Sequence, residues 1–447
     1  MKTVLVLAYE HAPFNRPGST IGAQRTYQFA KHLPRFGWKC IVLCCDFKTR
    51  YSLDPRSDWK RQVDVAVGSL LGEEQLQQEM LAIPLPSLKY GGLFDKLWHR
   101  AVVLDPVRGT FSPRPGVFNG VIRLLATCFK FFTGDHSESW QPVATRAAEH
   151  VIHRTKVDAV LAEHGPDASL YVAHRLAKQL PIPWVADFRD PALQAFPPLL
   201  RGLMRWHLRR ILKSCRLVIN VNPFWVECDR ADFNKEVRLI PNGFDEDEFV
   251  FNPQVVRNES FRIGAYGNVS FPGDVDLLFR ALKVLRLRKR AVQFFYFGNL
   301  AALFRRKANE YGLHEAVHIY DPMPRAEVLA RVGELNAVVL FSSAPHLNTD
   351  PYLMHGYYPA KVFEVFGLRK SFAVVPGDQG LLNELALRSG YGVVTETDTA
   401  LVETIERWID QYNETGRVTL PVDEVFIQQF SRKVQAGALA KALFSIL

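Results

Sequence analysis

Short runs of consecutive apolar residues alternate along most of the chain with stretches whose apolar side chains recur every three or four positions. The first pattern suits strands buried on both faces, the second amphipathic helices. In the first half it predicts strands at 3–9, 39–45, 158–162, 183–187 and 217–221, with helices at 22–35, 142–155, 167–179, 199–214 and 224–233. A short strand and turn in "VRLIPNG" close that half. The second half repeats the alternation, with strands at 261–266, 292–297, 316–320, 336–341 and 372–375. Its helices fall at 274–289, 301–311, 324–334, 359–367, 380–389 and 397–411. Such alternation predicts parallel sheets built from βαβ units. The expected fold class is α/β: two Rossmann-like, doubly wound domains joined near 241–260, then one or two helices in 424–447.

Residues 48–140 interrupt the first series. They hold two apolar, basic segments, "LFDKLWHRAVVL" and "VFNGVIRLLATCFKFF". From Lys89 to Phe132 there are seven Lys or Arg and two acidic residues. Two readings stand side by side: helices packed on a sheet edge, or a segment lying on a bilayer surface. A second basic stretch follows Asp190, with no acidic residue before Glu227. Arg201, Arg205 and Arg209 recur every four positions and share one helix face. Arg210, Lys213 and Arg216 extend it. This face suits a polyanion, an anionic lipid surface or solvent.

Composition narrows the choices. The 447 residues are 48% hydrophobic, enough for two cores. The net charge of +9 points to anionic partners. No aromatic–basic interleaving accompanies it, so a nucleic-acid partner is not expected. Cys40, Cys44, Cys45, Cys128, Cys215 and Cys228 form no paired CxxC array, and read as free thiols of a reducing compartment rather than a metal site. The opening "MKTVLVLAYEH" reads as a strand rather than a signal peptide, because the apolar run stops at Glu10 and His11 without a small-residue cleavage site. No apolar run approaches the roughly 18 residues of a membrane span. A cytoplasmic location is expected, with the inner face of the membrane left open.

Ligands of open α/β sheets bind beyond the carboxyl ends of strands, so the loops there hold the candidate chemistry. After the first strand, Gly18 and Gly22 flank the start of a helix that carries Arg25. A glycine loop entering a helix lets backbone N–H groups approach a phosphate, although neither GxGxxG nor a P-loop is present. "EHGPDAS" supplies Glu163, His164 and Asp167. "VADFRDP" supplies Asp187, Arg189 and Asp190, which suit either hydroxyl recognition or a structural ion pair. In the second half Gly267 and Asn268 follow a strand, as do Gly298 and Asn299.

"YYPAKVFEVFG" is the most informative stretch. Pro359 suits the first turn of a helix. Lys361 then lies where the free N–H groups and helix dipole favour an anion. Glu364 is one turn deeper on the same face. A cation beside phosphates and a carboxylate for hydroxyls describe a nucleotide diphosphate with its ribose. A plain i,i+3 ion pair is the alternative.

Taken together, "GSTIGAQRTYQFAKHLPRFGW", "PWVADFRDP", "IPNGFDEDEF", "AYGNVSFPGDVDLLFRAL", "YYPAKVFEVFG" and "VVPGDQGLLNELALRSGYGVV" occur in an order that resembles the retaining GT-B glycosyltransferases of the family-4 type. The resemblance spans nearly the whole chain. It implies two domains facing a cleft: an acceptor-side domain over 1–240 with its insertion, a nucleotide-sugar domain over 241–422, and helices at 423–447 packing back on the first.

It implies donor contacts from Gly22, Gly267, Asn268, Lys361, Glu364, Gly377, Asp378 and Gln379. Asp187, Arg189, Asp190 and Lys361 would serve catalysis, and Arg25, Glu163 and His164 would lie on the acceptor side. The chain departs from the family pattern at Gly356, where many relatives carry an acid eight positions before the glutamate. Asp350, His355 or backbone groups would then replace it. Sugar transfer from a nucleotide-diphosphate donor to a carbohydrate or lipid-linked acceptor is expected, with no cofactor and no metal. An epimerase of the same fold and a non-catalytic nucleotide-sugar binder are the alternatives.

Overall fold

The computed structural model describes residues 1–15, 21–49, 51–89, 102–105, 110–113, 137–194, 196, 198–249, 259–267, 275–342 and 350–447. The chain divides into two compact units. One comprises Met1–Val103, Ser112–Pro241 and Arg432–Leu447, the other Leu104–Phe111 and Asn242–Ser431.

The first unit is built on a parallel seven-stranded sheet. Its strands in chain order are β1 Lys2–Ala8, β2 Trp38–Cys45, β3 Met80–Leu85, β4 Ala159–His164, β5 Trp184–Phe188, β6 Leu217–Asn220 and β7 Val237–Leu239. Their spatial order is β7-β6-β5-β4-β1-β2-β3. The chain steps outward from β1 to β3, then returns to place β4 beside β1, so the topological switch point lies between β1 and β4. Helix α1 (Ile21–His32) leaves the β1 loop. The helices α2 (Gln141–Arg154), α3 (Ala168–Gln179), α4 (Pro198–Leu212) and α5 (Pro223–Phe233) follow. Along β1, Val4, Val6 and Ala8 join a core with Phe29 and Ala30 of α1, while Leu5 and Leu7 are equally buried on the other face. Burial on both sides is what turns a strand into an unbroken apolar run.

The second unit has a parallel six-stranded sheet. Its strands are β8 Phe261–Tyr266, β9 Val292–Phe297, β10 Val317–Tyr320, β11 Ala337–Phe341, β12 Ser371–Val375 and β13 Gly392–Val394, in spatial order β10-β9-β8-β11-β12-β13. The switch point falls between β8 and β11. Alternate residues separate cleanly: Ala337 and Val339 of β11 enter one core, Val338 and Leu340 the other. Its helices are α6 (Val275–Leu287), α7 (Ala301–Tyr311), α8 (Arg325–Gly333), α9 (Ala360–Gly367), α10 (Leu381–Ser389), α11 (Asp398–Thr415) and α12 (Glu424–Gln428). The last helix, α13 (Arg432–Ser445), belongs to the first unit, where Ala436, Leu439, Ala440 and Leu443 complete the core around β1 and α1.

Two features differ from the sequence expectation. Strand β3 lies inside the stretch treated as an insertion, beside a helix at Trp59–Leu70 that is tied to α2 by the Arg146–Asp64 pair at 2.6 Å. Helix α12 falls in the second unit rather than packing back on the first. The two basic segments of the insertion, apart from residues 102–104 of the first, lie outside the described residues, as do Gly18, Cys128 and Asn268. No helix among the described residues is long and apolar enough to cross a membrane.

Candidate functional site

At the carboxyl ends of β4 and β5 the first unit gathers Glu163, Gly165, Arg189 and, from α1, Gly22. Arg189 donates from Nη1 to Glu163 Oε1 at 3.0 Å and from Nη2 to the Gly165 carbonyl. A Cβ at Gly22 would overlap this guanidinium. Gly22 therefore makes room for Arg189. Glu163 is 1% exposed, and its Oε2 has no hydrogen-bond partner. Burial pushes its carboxyl up to about 8, against the pull of Arg189. An uncompensated buried oxygen costs about 1–3 kcal/mol, which marks this position as strained for stability alone.

His164 is buried beside it. Its Nε2 lies 2.9 Å from Asp167 Oδ1, its ring lies tilted against Phe188 with centroids 4.6 Å apart, and its Nδ1 has no partner. His11, on the β1 loop, repeats the pattern: Nδ1 meets Thr26 Oγ1 at 3.0 Å, Nε2 has no partner, and burial lowers the imidazole to about 4. Sequence reading passed over His11, because a lone histidine after a strand carries no spacing signal. Asp190, by contrast, has a side chain 66% exposed, 3.6 Å from Arg189 Nε.

Asp187 and Arg25 correct the expectation that they face substrate. Asp187 is fully buried and holds Arg25 through Nε–Oδ2 at 2.8 Å and Nη2–Oδ1 at 2.9 Å. Arg25 also donates to the carbonyls of Ile240 and Pro241 at 2.9 and 3.1 Å, and lies over Phe29. Neither is available to a ligand. Together they fasten α1 and β5 to the chain leaving the first unit, with every formal charge compensated as burial demands.

The arginine stripe of α4 is corrected too. Arg205 pairs with Asp232 at 2.8 Å. Arg209 donates to the carbonyls of Asp232 and Ala231 near the end of α5, and Arg201 to that of Phe196. These arginines cap and clamp neighbouring backbone. Leu199, Leu203 and Trp206 are exposed on α4 as well, beside Arg209 and Arg210.

In the second unit Gly267 ends β8 at the switch point, with φ +69. Tyr296 of β9 donates its hydroxyl to the Gly267 carbonyl at 2.7 Å and receives the Leu300 N–H at 3.1 Å. Lys361, in the first turn of α9, lies against Gly267: a Cβ there would come within 2.8 Å of Lys361 Cε and 3.3 Å of Nζ. Burial pulls its ammonium down to about 8 despite the nearby Glu364. An anion placed at this helix start would restore the charge.

Glu364 has a partner that the spacing did not reveal. Arg325, at the start of α8, donates from Nε to Glu364 Oε1 at 2.8 Å and from Nη1 to Glu248 Oε2 at 3.0 Å. Asp378 is a correction of a different kind. Its buried carboxylate accepts the N–H groups of Gly380, Leu382 and Asn383 at 2.9–3.0 Å, so it caps α10 rather than meeting a ligand. Its neighbours in the loop after β12 are tightly built. Gly377 leaves no space for a Cβ beside Glu396, and Gln379 is left-handed at φ 51. Gly356 is also left-handed, at φ 73, which accounts for the missing acid: an L side chain there would be strained.

Similarity to known proteins agrees with this architecture. The family model described as Glycosyltransferase Family 4 matches residues 95–248. No curated protein matches the chain by sequence. Among solved structures, a sucrose-phosphate synthase from Thermosynechococcus elongatus superposes with a TM-score of 0.59 at 14% identity, covering 100% of both chains. A glycosyltransferase from Rickettsia africae gives 0.54 at 14% identity, over 100% of this chain and 98% of its own. The Anabaena protein HepE in complex with UDP gives 0.55 at 12% identity, over 100% of both. Residues 95–248 thus resemble the family-4 glycosyltransferases, and the two Rossmann-like units have the GT-B fold of these solved structures.

Proposed function

We propose that this enzyme is a retaining transferase. It moves a sugar from a nucleotide-diphosphate donor to a hydroxyl of a carbohydrate or lipid-linked acceptor in cell-envelope glycan synthesis. The observation that carries the reading is Lys361: a lysine at a helix start, against the glycine that ends the strand at the second switch point.

In this reading Lys361 and the α9 N-terminus stabilise charge on the diphosphate as it leaves, the role of preorganised donors in group transfer. Glu364 takes the ribose hydroxyls. Gly267, Gly377 and Gln379 line the donor, and Asp378 shapes their loop without touching it. Glu163, His164, Arg189 and the exposed Asp190 serve the acceptor side, where a buried carboxylic acid with a free oxygen suits hydroxyl recognition. The departing phosphate deprotonates the acceptor on the front face. The complexes of HepE with UDP and with UDP-glucose make uracil the first base to try. The exposed apolar face of α4 supports a reading in which the protein meets the inner face of an anionic membrane.

The test is release of nucleoside diphosphate from UDP-, GDP-, dTDP- and ADP-sugars, with a cell-envelope extract as acceptor and with the product's anomeric configuration read by NMR. Acceptor-dependent release with retention supports the reading. Inverted product, or a changed sugar without an acceptor, overturns it.

A further inference from the structure

Glu364 is held by a relay whose central residue, Arg325, lies in none of the sequence motifs. Glu248 sits in the short helical turn Glu246–Glu248, Arg325 opens α8, and Glu364 lies on the second turn of α9. Three separate segments of the second unit thus converge on one guanidinium. The Glu364 side chain is 13% exposed, and Arg325 and Glu248 are 27% and 26% exposed, so the charges become more open away from the α9 carboxylate.

Arg325 uses different nitrogens for its two carboxylates, Nε for Glu364 and Nη1 for Glu248. Glu248 therefore fixes the plane of the guanidinium without competing for the Nε–H aimed at Glu364. On its other side Glu364 faces the hydroxyl of Tyr266, the last residue of β8, which is pushed up by its own burial and then by the Glu364 charge. That hydroxyl also donates to the Lys361 carbonyl at 3.3 Å. The carboxylate is thereby locked between α8 and the switch-point strand, one turn from Lys361.

A carboxylate that must accept two adjacent hydroxyls has to be ionised and fixed in its plane. A bare glutamate on a helix surface is neither so oriented nor so protected, whereas a charge-assisted bond to arginine supplies both. We propose that Arg325, backed by Glu248, is a positioning residue. It orients Glu364 toward a vicinal diol, and so sets the enzyme's preference for ribonucleotide over 2′-deoxyribonucleotide donors. The inference rests on the ribose role proposed for Glu364.

The experiment is calorimetric titration of UDP, GDP and ADP and their 2′-deoxy counterparts into wild-type protein, Arg325→Ala, Arg325→Lys, Glu248→Gln and Glu364→Gln. Thermal melting of each variant reports folding. Wild type binds one ribonucleotide roughly tenfold or more tighter than its deoxy form, the scale of one charge-assisted hydrogen bond. Arg325→Ala loses most of that ratio, with a smaller change in deoxynucleotide affinity. Arg325→Lys and Glu248→Gln fall between. A loss of structure alone would weaken both forms equally.

If wild type and Arg325→Ala keep the same ratio while Glu364→Gln abolishes it, Arg325 has no positioning role and the ribose assignment stands. If Arg325→Ala weakens both forms equally, the role is structural and the inference is overturned. If wild type binds nucleotide but shows no preference for ribose, the assignment of Glu364 falls, and this inference with it.

Discussion

Glu163 shows how a single buried side chain ties stability to function. Its carboxyl titrates near 8 in the folded chain because burial disfavours the charge, whereas in the unfolded chain it titrates near 4.5. Between these values the folded state holds a proton that the unfolded state has released, so stability is highest below the unfolded value and falls as pH rises toward 8. Each unit of the gap corresponds to about 1.4 kcal/mol. Glu163→Gln is therefore expected to raise the melting temperature by several degrees near pH 8.5 and to change it little near pH 4.5. Melting curves across that range check the sign. A larger gain in acid than in base would mean that the carboxyl is ionised in the folded state. The same substitution should reduce transfer, because a strained, unpartnered oxygen is retained where a ligand uses it.

At the scale of elements, the apolar runs located the strands because parallel strands covered on both faces leave few polar positions. Strand β9 at Val292–Phe297 and helix α7 at Ala301–Tyr311 fall where the pattern predicts them. Strand β3 did not register, since Pro84 breaks its run and its residues alternate between buried and intermediate exposure at the sheet edge. Candidate chemistry was legible where one residue's type and place sufficed, as with Lys361 after Pro359. It was not legible where function depends on distant partners. No spacing links Arg25 to Asp187 or Arg325 to Glu364.

Helix α4 is the clearest case. Its arginines suggested an anionic partner, and Arg201, Arg205 and Arg209 bond Asp232 and backbone carbonyls, while Leu199, Leu203 and Trp206 are exposed beside Arg209 and Arg210. Spaced four and then three residues apart, the three apolar residues form one stripe. Arg210 lies 5.3 Å from the Trp206 ring. Leu and Trp beside a cation suit the interface of an anionic bilayer. Replacing Leu199, Leu203 and Trp206 together with serine should cut sedimentation with phosphatidylglycerol vesicles at least severalfold and leave the melting temperature nearly unchanged, because these side chains are exposed. Undiminished sedimentation would place any membrane contact elsewhere.

For the whole molecule, the two units share one strand order, reversing beside the first strand of each sheet, yet they carry different chemistry at that point. The first unit presents carboxyl, imidazole and guanidinium groups after β1, β4 and β5. The second presents a glycine, a helix start and a lysine after β8 and before α9. The proposed division between acceptor recognition and donor diphosphate binding rests on that contrast, and on Lys361 above all. In the free protein the Lys361 ammonium titrates near 8, and a bound diphosphate would raise it toward the ordinary lysine range.

Binding near neutral pH should therefore exchange few protons, while binding near pH 8.5 should take up part of one. The most direct measurement is titration calorimetry of nucleoside diphosphates at both pH values, in two buffers of different ionisation enthalpy, for wild type and Lys361→Ala. The account predicts that one diphosphate binds wild type with proton uptake only at the higher pH, and that Lys361→Ala loses at least tenfold in affinity together with the uptake. Equal affinity in the two proteins, or no binding of any diphosphate to either, would contradict it.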